Sequence, residues 1–366
     1  MAALGLNGCG FFLNPDGYIP QSPSKIMEKM LMRRGTLVAL FQRRGKSTLR
    51  GMEKEMIKIE RILCPVDLSE SSDKSLRYAA ALARAYSAKL SVCHCVGEPA
   101  ATAGTLARQK ANIGLKEAVA SSLQIHVGLA GLGAVDWESV TVEGERAAEA
   151  LTREALAENV DLIVMCSRRR PLRAALLGST TEQVYRSAPC PVLVTHPDQR
   201  EWTEDESGII RPVRILVAHD FSDYSELALT IALSFAQEYQ AELHLLHVLE
   251  APVLVEPELA WGPSSVEGTY HKAARGLQNA VHGEAYMWCK AVKHAVRWGK
   301  PYREVLSYAR EQEIDLICMG AHGTGFGIQT LFGSNVDRVV RQSPCPTLVA
   351  RPLRPSGSMP LKDGSV

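Results

Sequence analysis

The sequence contains the same pattern twice, at a spacing of about 155 residues. Four short blocks recur in the same order, with offsets of 153 to 155 residues between the two copies. The blocks are Arg61–Ser69 and Arg214–Ser222, Asp161–Met165 and Asp315–Met319, Gly178–Ser179 and Gly333–Ser334, and Pro189–Val194 and Pro344–Val349. Solenoid repeats are only about 20 to 50 residues long. The chain is therefore predicted to contain a tandem pair of whole domains.

Within each copy, short apolar segments alternate with longer amphipathic ones. In the second copy the apolar segments predict strands at 213–217, 241–248, 295–298, 315–319 and 346–350. The amphipathic segments predict helices at 224–239, around 270–290, at 302–312 and at 334–342. This alternation is typical of βαβ units, which build a parallel sheet with helices on both faces. The predicted fold class is α/β, with two doubly wound domains.

A loop rich in glycine distinguishes the second copy from the first. It has the spacing Gly320-x2-Gly323-x9-Gly333-Ser334 and joins a predicted strand to a predicted helix. The first N–H groups of a helix have no partner within the helix and attract anions. Glycines allow the backbone to approach a ligand closely. The order strand, loop, helix indicates a phosphate site, with a glycine-rich turn that binds nothing as the alternative.

Asp220 ends the first predicted strand of the second copy, and Gly320 follows the fourth. In open parallel sheets, ligands lie beyond the carboxyl ends of the strands, where the strand order reverses. If these two strands are neighbours, Asp220 and the glycine loop line one crevice.

Taken together, these residues resemble the universal stress protein family. The resemblance rests on Asp220-x-Ser222, on the glycine loop and on the closing segment Ser343–Val349, and it covers residues 57–197 and 211–353. It implies a five-stranded parallel sheet of strand order 3-2-1-4-5 in each domain. It also implies that the two domains pair with each other through their last strands, and that the protein is a cytoplasmic regulator of stress responses.

Members of this family with an intact glycine loop bind ATP, so the resemblance implies ATP in the second domain and leaves Mg²⁺ open. Asp220 would face the adenine, Val248 would contact adenine or ribose, and the loop would hold the phosphates. His322 would either border the phosphates or be an exposed loop histidine. The implied ligand-binding residues are Asp220, Val248, Met319, Gly320, Gly323, Gly333, Ser334 and Asn335.

The first domain departs from this pattern. It has Met165-Cys-Ser-Arg-Arg169 where the second has Met319-Gly-Ala-His-Gly323, and its loop is one residue shorter. The side chains of Cys166 and Arg169 would fill space that glycines leave open, so we expect the first domain not to bind nucleotide. Its four loop arginines leave anion attraction open, although a solvated basic loop is the simpler interpretation.

The sequence has no Gly-x4-Gly-Lys-Ser/Thr motif and no evident carboxylate pair for Mg²⁺, so we expect little or no hydrolysis and no enzyme activity. It also has no Ser-Gly-Gly-x-Asp loop after the first strand, which argues against an adenylating enzyme. The alternative function is a protein-interaction module that uses the same fold without a ligand. The protein partner is unknown, and formation of a homodimer is left open.

The composition excludes several classes of function. A net charge of +1 gives no general attraction to nucleic acid. No apolar segment approaches the ~20 residues of a membrane helix. The nine cysteines form no evident disulfide framework, and Cys93-His94-Cys95 lacks a second ligand pair at zinc spacing, so no metal site is expected.

Three segments lie outside the two copies. Residues 1–56 are predicted to be a basic, disordered extension; a membrane- or nucleic-acid-contacting segment and a translation start at Met52 or Met56 are the alternatives. Residues 198–210 are predicted to be an exposed acidic linker, and residues 354–366 a frayed tail.

Overall fold

The computed structural model describes residues 57–97, 135–167, 179–204, 210–250, 263–281, 285–322 and 334–351, together with the single residues 117, 121, 124 and 283. The extension 1–56, the tail 354–366, Trp261, Gly323 and Gly333 lie outside the described residues. Within the described part, no helix is both long and apolar enough to cross a membrane.

The first domain alternates strands and helices as the sequence predicts. Its elements are β1 (Arg61–Pro65), α1 (Glu70–Tyr86), β2 (Lys89–Val96), β3 (Trp137–Glu143), α2 (Ala147–Ala157), β4 (Leu162–Cys166), α3 (Ser179–Ser187) and β5 (Val192–Thr195). Two short strands, β6 (Thr203–Glu204) and β7 (Ile210–Arg211), then pair antiparallel between the domains.

The second domain repeats the order. Its elements are β8 (Arg214–Ala218), α4 (Asp223–Tyr239), β9 (Glu242–Leu249), α5 (Pro263–Ala280), α6 (Ala285–Trp288), β10 (Ala291–Trp298), α7 (Pro301–Glu311), β11 (Leu316–Gly320), α8 (Ser334–Gln342) and β12 (Thr347–Ala350). Strand β10 begins four residues before its predicted start. Helix α5 begins at Pro263, earlier than the helix predicted around residues 270–290, and proline is tolerated in the first turn of a helix.

Ten strands form one continuous sheet, in the order β10-β9-β8-β11-β12-β5-β4-β1-β2-β3. Counted within each domain, five parallel strands follow the order 3-2-1-4-5, which confirms the expectation. The domains join at one antiparallel pair, β12 with β5, where Leu348 lies opposite Leu193. Pairing through the last strands is therefore confirmed, and it leaves neither of these strands as an exposed edge.

The helices that follow the fourth strands, α3 and α8, also meet across the two domains. Arg186 of α3 forms an ion pair with Asp337 of α8 (Nη2–Oδ2 2.5 Å), and Arg341 of α8 forms one with Glu182 of α3 (Nη2–Oε2 2.7 Å). The two arginines occupy equivalent positions in the two copies, and so do the two acidic residues, so each helix contributes one of each. This is the arrangement expected of a self-complementary interface. Tyr185 adds a hydrogen bond to Asp337 that has no counterpart, since Val340 occupies the equivalent position.

The linker is partly buried, which corrects the prediction that it is exposed. Trp202 is only 2% exposed; its ring packs edge-on against Tyr78, 4.8 Å away, and its Nε1 donates to the carbonyl oxygen of Asp315. Glu201 forms ion pairs with Lys74 and Arg77 of α1. An apolar ring within an acidic segment therefore attaches the linker to both domains.

Candidate functional site

The carboxyl ends of β8 and β11 are adjacent in the sheet. The two strands pair in parallel with Met319 opposite Ala218, so Gly320 ends β11 beside the residues that follow β8. On its other side β8 pairs with β9, so the strand order reverses at this point. The two strands are neighbours, as the sequence analysis required. Asp220 and the start of the glycine loop therefore lie at the same edge of the sheet.

Asp220 is fixed at this edge by a tight turn. Phe221 has a left-handed φ of +63°, and Asp220 Oδ1 accepts hydrogen bonds from the N–H (3.1 Å) and the Oγ (2.5 Å) of Ser222. Ser222 in turn caps α4, since its Oγ accepts from Ser225 N at 3.2 Å. The turn holds the carboxylate at the mouth of the crevice in one orientation.

The end of β9 is tied to the end of β8 by a histidine. His247 Nδ1 donates to the carbonyl oxygen of His219 at 2.8 Å, and its ring centroid lies 4.6 Å from that of Phe221. Val248, the next residue, is half-buried and packs with Met319 into the core layer that also contains Val336 of α8. Val248 is thus the more exposed of the two, since Met319 is only 6% exposed.

Gly320 has a packing role that the sequence analysis missed. A Cβ atom at this position would lie 2.6 Å from Tyr224 Cβ and 2.7 Å from the Tyr224 carbonyl carbon. These atoms belong to the first turn of α4, which cannot retreat without disturbing its cap. Glycine is therefore required here for the strand to pass the helix, whether or not a ligand binds.

We expect Gly320→Ala to lower the free energy of unfolding by about 2 kcal/mol, because the added methyl overpacks a backbone contact. Urea unfolding followed by circular dichroism measures the change. Gly268→Ala is the matched control: a Cβ at Gly268 meets no atom within 4 Å, and alanine favours the helix. Equal destabilisation by both variants would contradict the packing role of Gly320.

Helix α8 begins at Ser334, next to half-buried Asn335. Because α8 connects two parallel strands, it starts at the same carboxyl edge as Asp220. Before it, the ring of His322 lies 4.9 Å from that of Tyr224, and the imidazole is half-buried rather than exposed. Burial, and secondarily the charge of Arg351, lower the pKa of His322, which favours its neutral form.

The structure thus brings Asp220, Val248, Met319, Gly320 and Asn335 to one edge of the sheet. Ser334 is the first residue of α8. Gly323 and Gly333 lie outside the described residues. The contribution of the loop glycines therefore stays a prediction.

The first domain keeps the same scaffold at its corresponding edge. Leu68 has a φ of +59°, Asp67 Oδ1 accepts from Ser69 N at 3.2 Å, and His94 Nδ1 donates to Val66 O at 2.9 Å. One difference is at Cys166, which occupies the position of Gly320; another is that Ser69 does not cap α1, whereas Ser222 caps α4. Elsewhere in the described part of the chain, no three His, Cys, Asp or Glu side chains are grouped to hold a metal ion.

The sequence model of the Universal stress protein family matches the chain twice, over residues 58–196 and 213–351. The chain belongs to the universal stress protein family. This universal stress protein carries the family domain in tandem, and both matches lie within the two copies recognised from the sequence.

Relatives with one and with two domains are similar to this chain. A universal stress protein of Mycolicibacterium smegmatis is 26% identical over 302 residues, covering 80% of this chain and 97% of that protein. One of Bacillus subtilis is 32% identical over 147 residues, covering 38% of this chain and 98% of that protein. The crystal structure of a universal stress protein of Archaeoglobus fulgidus matches with a TM-score of 0.57 at 22% identity, covering 82% of this chain and all of that one. At that identity the structural match supports the fold alone.

Proposed function

We propose that this universal stress protein binds ATP through its second domain and acts as a nucleotide-dependent regulator of a stress response. One observation supports the proposal most strongly. The Asp220 turn, the end of β11 and the start of α8 lie at one edge of the sheet, where the strand order reverses. Three different kinds of binding group converge at this point.

Each group suits one part of the nucleotide. The Asp220 carboxylate would accept a hydrogen bond from the exocyclic amine of adenine. Val248, which is half-buried, would supply the apolar contact that a base or ribose needs, and Met319 would support it from the core. The first N–H groups of α8 and the glycine loop suit phosphate oxygens, and Mg²⁺ would accompany these phosphates as their counterion.

We further propose that ATP acts as a regulatory ligand and is hydrolysed slowly or not at all. Fast hydrolysis needs a group that orients an attacking water. In the proposed arrangement, Asp220 faces the adenine, away from the phosphates, and is already engaged by Ser222 in the turn that fixes it. The alternative for the whole chain is a ligand-free protein-interaction module. In the first domain, Cys166 replaces the glycine at the same scaffold position, so we propose no nucleotide there.

Calorimetric titration with ATP tests the site. We expect about one ATP per chain, and we expect Asp220→Asn to weaken binding by about ten- to a hundredfold, because a charged acceptor is lost. Asparagine keeps the oxygen that accepts from Ser222, so the turn should survive. Asp67→Asn changes the equivalent turn in the first domain and is expected to leave ATP affinity unchanged.

Two outcomes would overturn the assignment. Absence of ATP binding by the parent chain would favour the ligand-free module for both domains. Equal weakening by Asp220→Asn and Asp67→Asn would mean that the first domain binds nucleotide as well.

A further inference from the structure

A groove of about 420 Å³ runs between α7 and α8 on the outer side of the second domain. Arg303, Ser307 and Arg310 line it from α7, and Gln342 lines it from α8. The α7 positions are four and three residues apart, so they form one face of that helix, and Gln342 closes the groove at the end of α8. The groove lies on a helix-covered face of the sheet and is separate from the crevice at Asp220.

Four cations at or near the groove have no carboxylate partner among the residues that the structure describes. These cations are Lys300, Arg303, Arg310 and Arg338, all of them exposed. The nearby carboxylates are engaged elsewhere: Glu304, which borders the groove, and Glu311 both face Arg297 of β10. On α8, Asp337 pairs with Arg186, and Arg341 pairs with Glu182.

The side chain of Tyr302 lies among these cations. The guanidinium carbon of Arg338 lies 4.6 Å from its ring centroid, and that of Arg303 lies 5.8 Å away. Arg303 Nε also donates to Tyr302 Oη at 3.0 Å. This hydrogen bond, with the charges of Arg303, Arg338 and Lys300, lowers the pKa of the phenol. Arg338 therefore lies over the ring, and the rest of the half-buried Tyr302 side chain lines the groove.

The duplication shows that the fold does not require the three arginines, whereas the fourth cation, Lys300, corresponds to Arg146 in the first domain. In the first domain, the equivalents of Arg303, Arg310 and Arg338 are Glu149, Leu156 and Gln183. There Glu149 pairs with Arg146, and Thr152 Oγ1 lies 3.1 Å from Ser187 Oγ, which links the two helices with neutral groups. The same helix packing is thus achieved without an excess of positive charge, so the basic groove is a specific property of the second domain.

We propose that this groove docks an acidic peptide segment of a partner protein. Arg303 and Arg310 are seven residues apart, about 10 Å along the helix, which is too far for both to bind one phosphate group. Carboxylates three residues apart on a polyproline II segment lie on one face and are about 9 Å apart, which is close to this spacing. Each arginine can bind a carboxylate with two parallel hydrogen bonds. An apolar residue between the two acids would lie against the ring of Tyr302.

The test uses a fluorescein-labelled peptide Glu-Leu-Gly-Glu-Leu-Gly-Glu and fluorescence polarisation with the full-length chain at low salt. The matched probe Gln-Leu-Gly-Gln-Leu-Gly-Gln lacks the carboxylates. We expect the acidic peptide alone to bind, and we expect Arg303→Glu/Arg310→Glu to weaken it by at least about tenfold. Lys272→Glu/Arg275→Glu on α5 makes the same change in net charge at exposed positions and should leave the affinity within about twofold.

Three results would overturn the proposal. In the first, the parent chain fails to bind the acidic peptide even at about millimolar concentration, and in the second, the two double variants weaken binding equally. In the third, inorganic tripolyphosphate displaces the peptide at a lower concentration than unlabelled peptide does. Thermal unfolding of each variant shows whether it is folded. Because the readout needs no nucleotide, the groove can fail or succeed independently of ATP binding.

Discussion

Replacing Asp315 with alanine is expected to lower the free energy of unfolding by about 3 kcal/mol. Asp315 is 4% exposed, and its Oδ2 accepts from Val213 N (2.9 Å) and Arg214 N (2.8 Å) at the start of β8. Its Oδ1 accepts from Arg200 Nη2 of the linker at 2.7 Å. Alanine would leave the two backbone donors without their acceptor where little water reaches them, whereas the Arg200 side chain, 40% exposed, can be hydrated.

The first domain supplies the matched control. Asp161 Oδ2 accepts from Glu60 N (2.7 Å) and Arg61 N (3.0 Å) in the equivalent arrangement, but it is only half-buried. Water can replace the carboxylate there, so Asp161→Ala should cost about 1 kcal/mol. Urea unfolding of both variants gives the comparison. Equal losses would show that burial and the linker contact do not set the cost.

Replacing Gly323 with arginine is expected to weaken ATP binding by at least about a hundredfold. The glycine belongs to the loop between β11 and α8, where we propose that the phosphates lie. A long side chain would fill the approach to the first N–H groups of α8. The duplication has produced this difference already, since Arg169 occupies the equivalent position in the first domain.

Calorimetry with ATP measures the loss, and thermal unfolding shows whether the variant is folded. Arg169→Glu is the control, because it changes the equivalent loop of the first domain and should leave ATP binding within about twofold. Affinity for ATP unchanged by Gly323→Arg would place the phosphates elsewhere. In that case the start of α8 would have only a structural role.

The sequence alone determined the architecture of this protein. Blocks such as Asp161–Met165 and Asp315–Met319 revealed the duplication, because identical domains preserve the same strand and turn residues. Short apolar segments between amphipathic ones determined a parallel sheet, since such strands are buried on both faces. The family resemblance added the strand order and the pairing of β12 with β5. Asp220 was predicted as a site residue because it follows the first strand of the second domain, and this prediction awaits the binding experiment.

Only the tertiary structure decided which distant residues meet. Arg200 and Asp315 are 115 residues apart, and no periodic pattern links them. Trp202 belongs to a linker that the sequence predicts to be exposed, but its ring is buried against Tyr78. The requirement for glycine at 320 follows from the backbone of Tyr224, and the basic groove follows from the packing of α7 against α8. A sequence pattern reports the faces of single elements, whereas burial and charge balance depend on which faces the fold brings together.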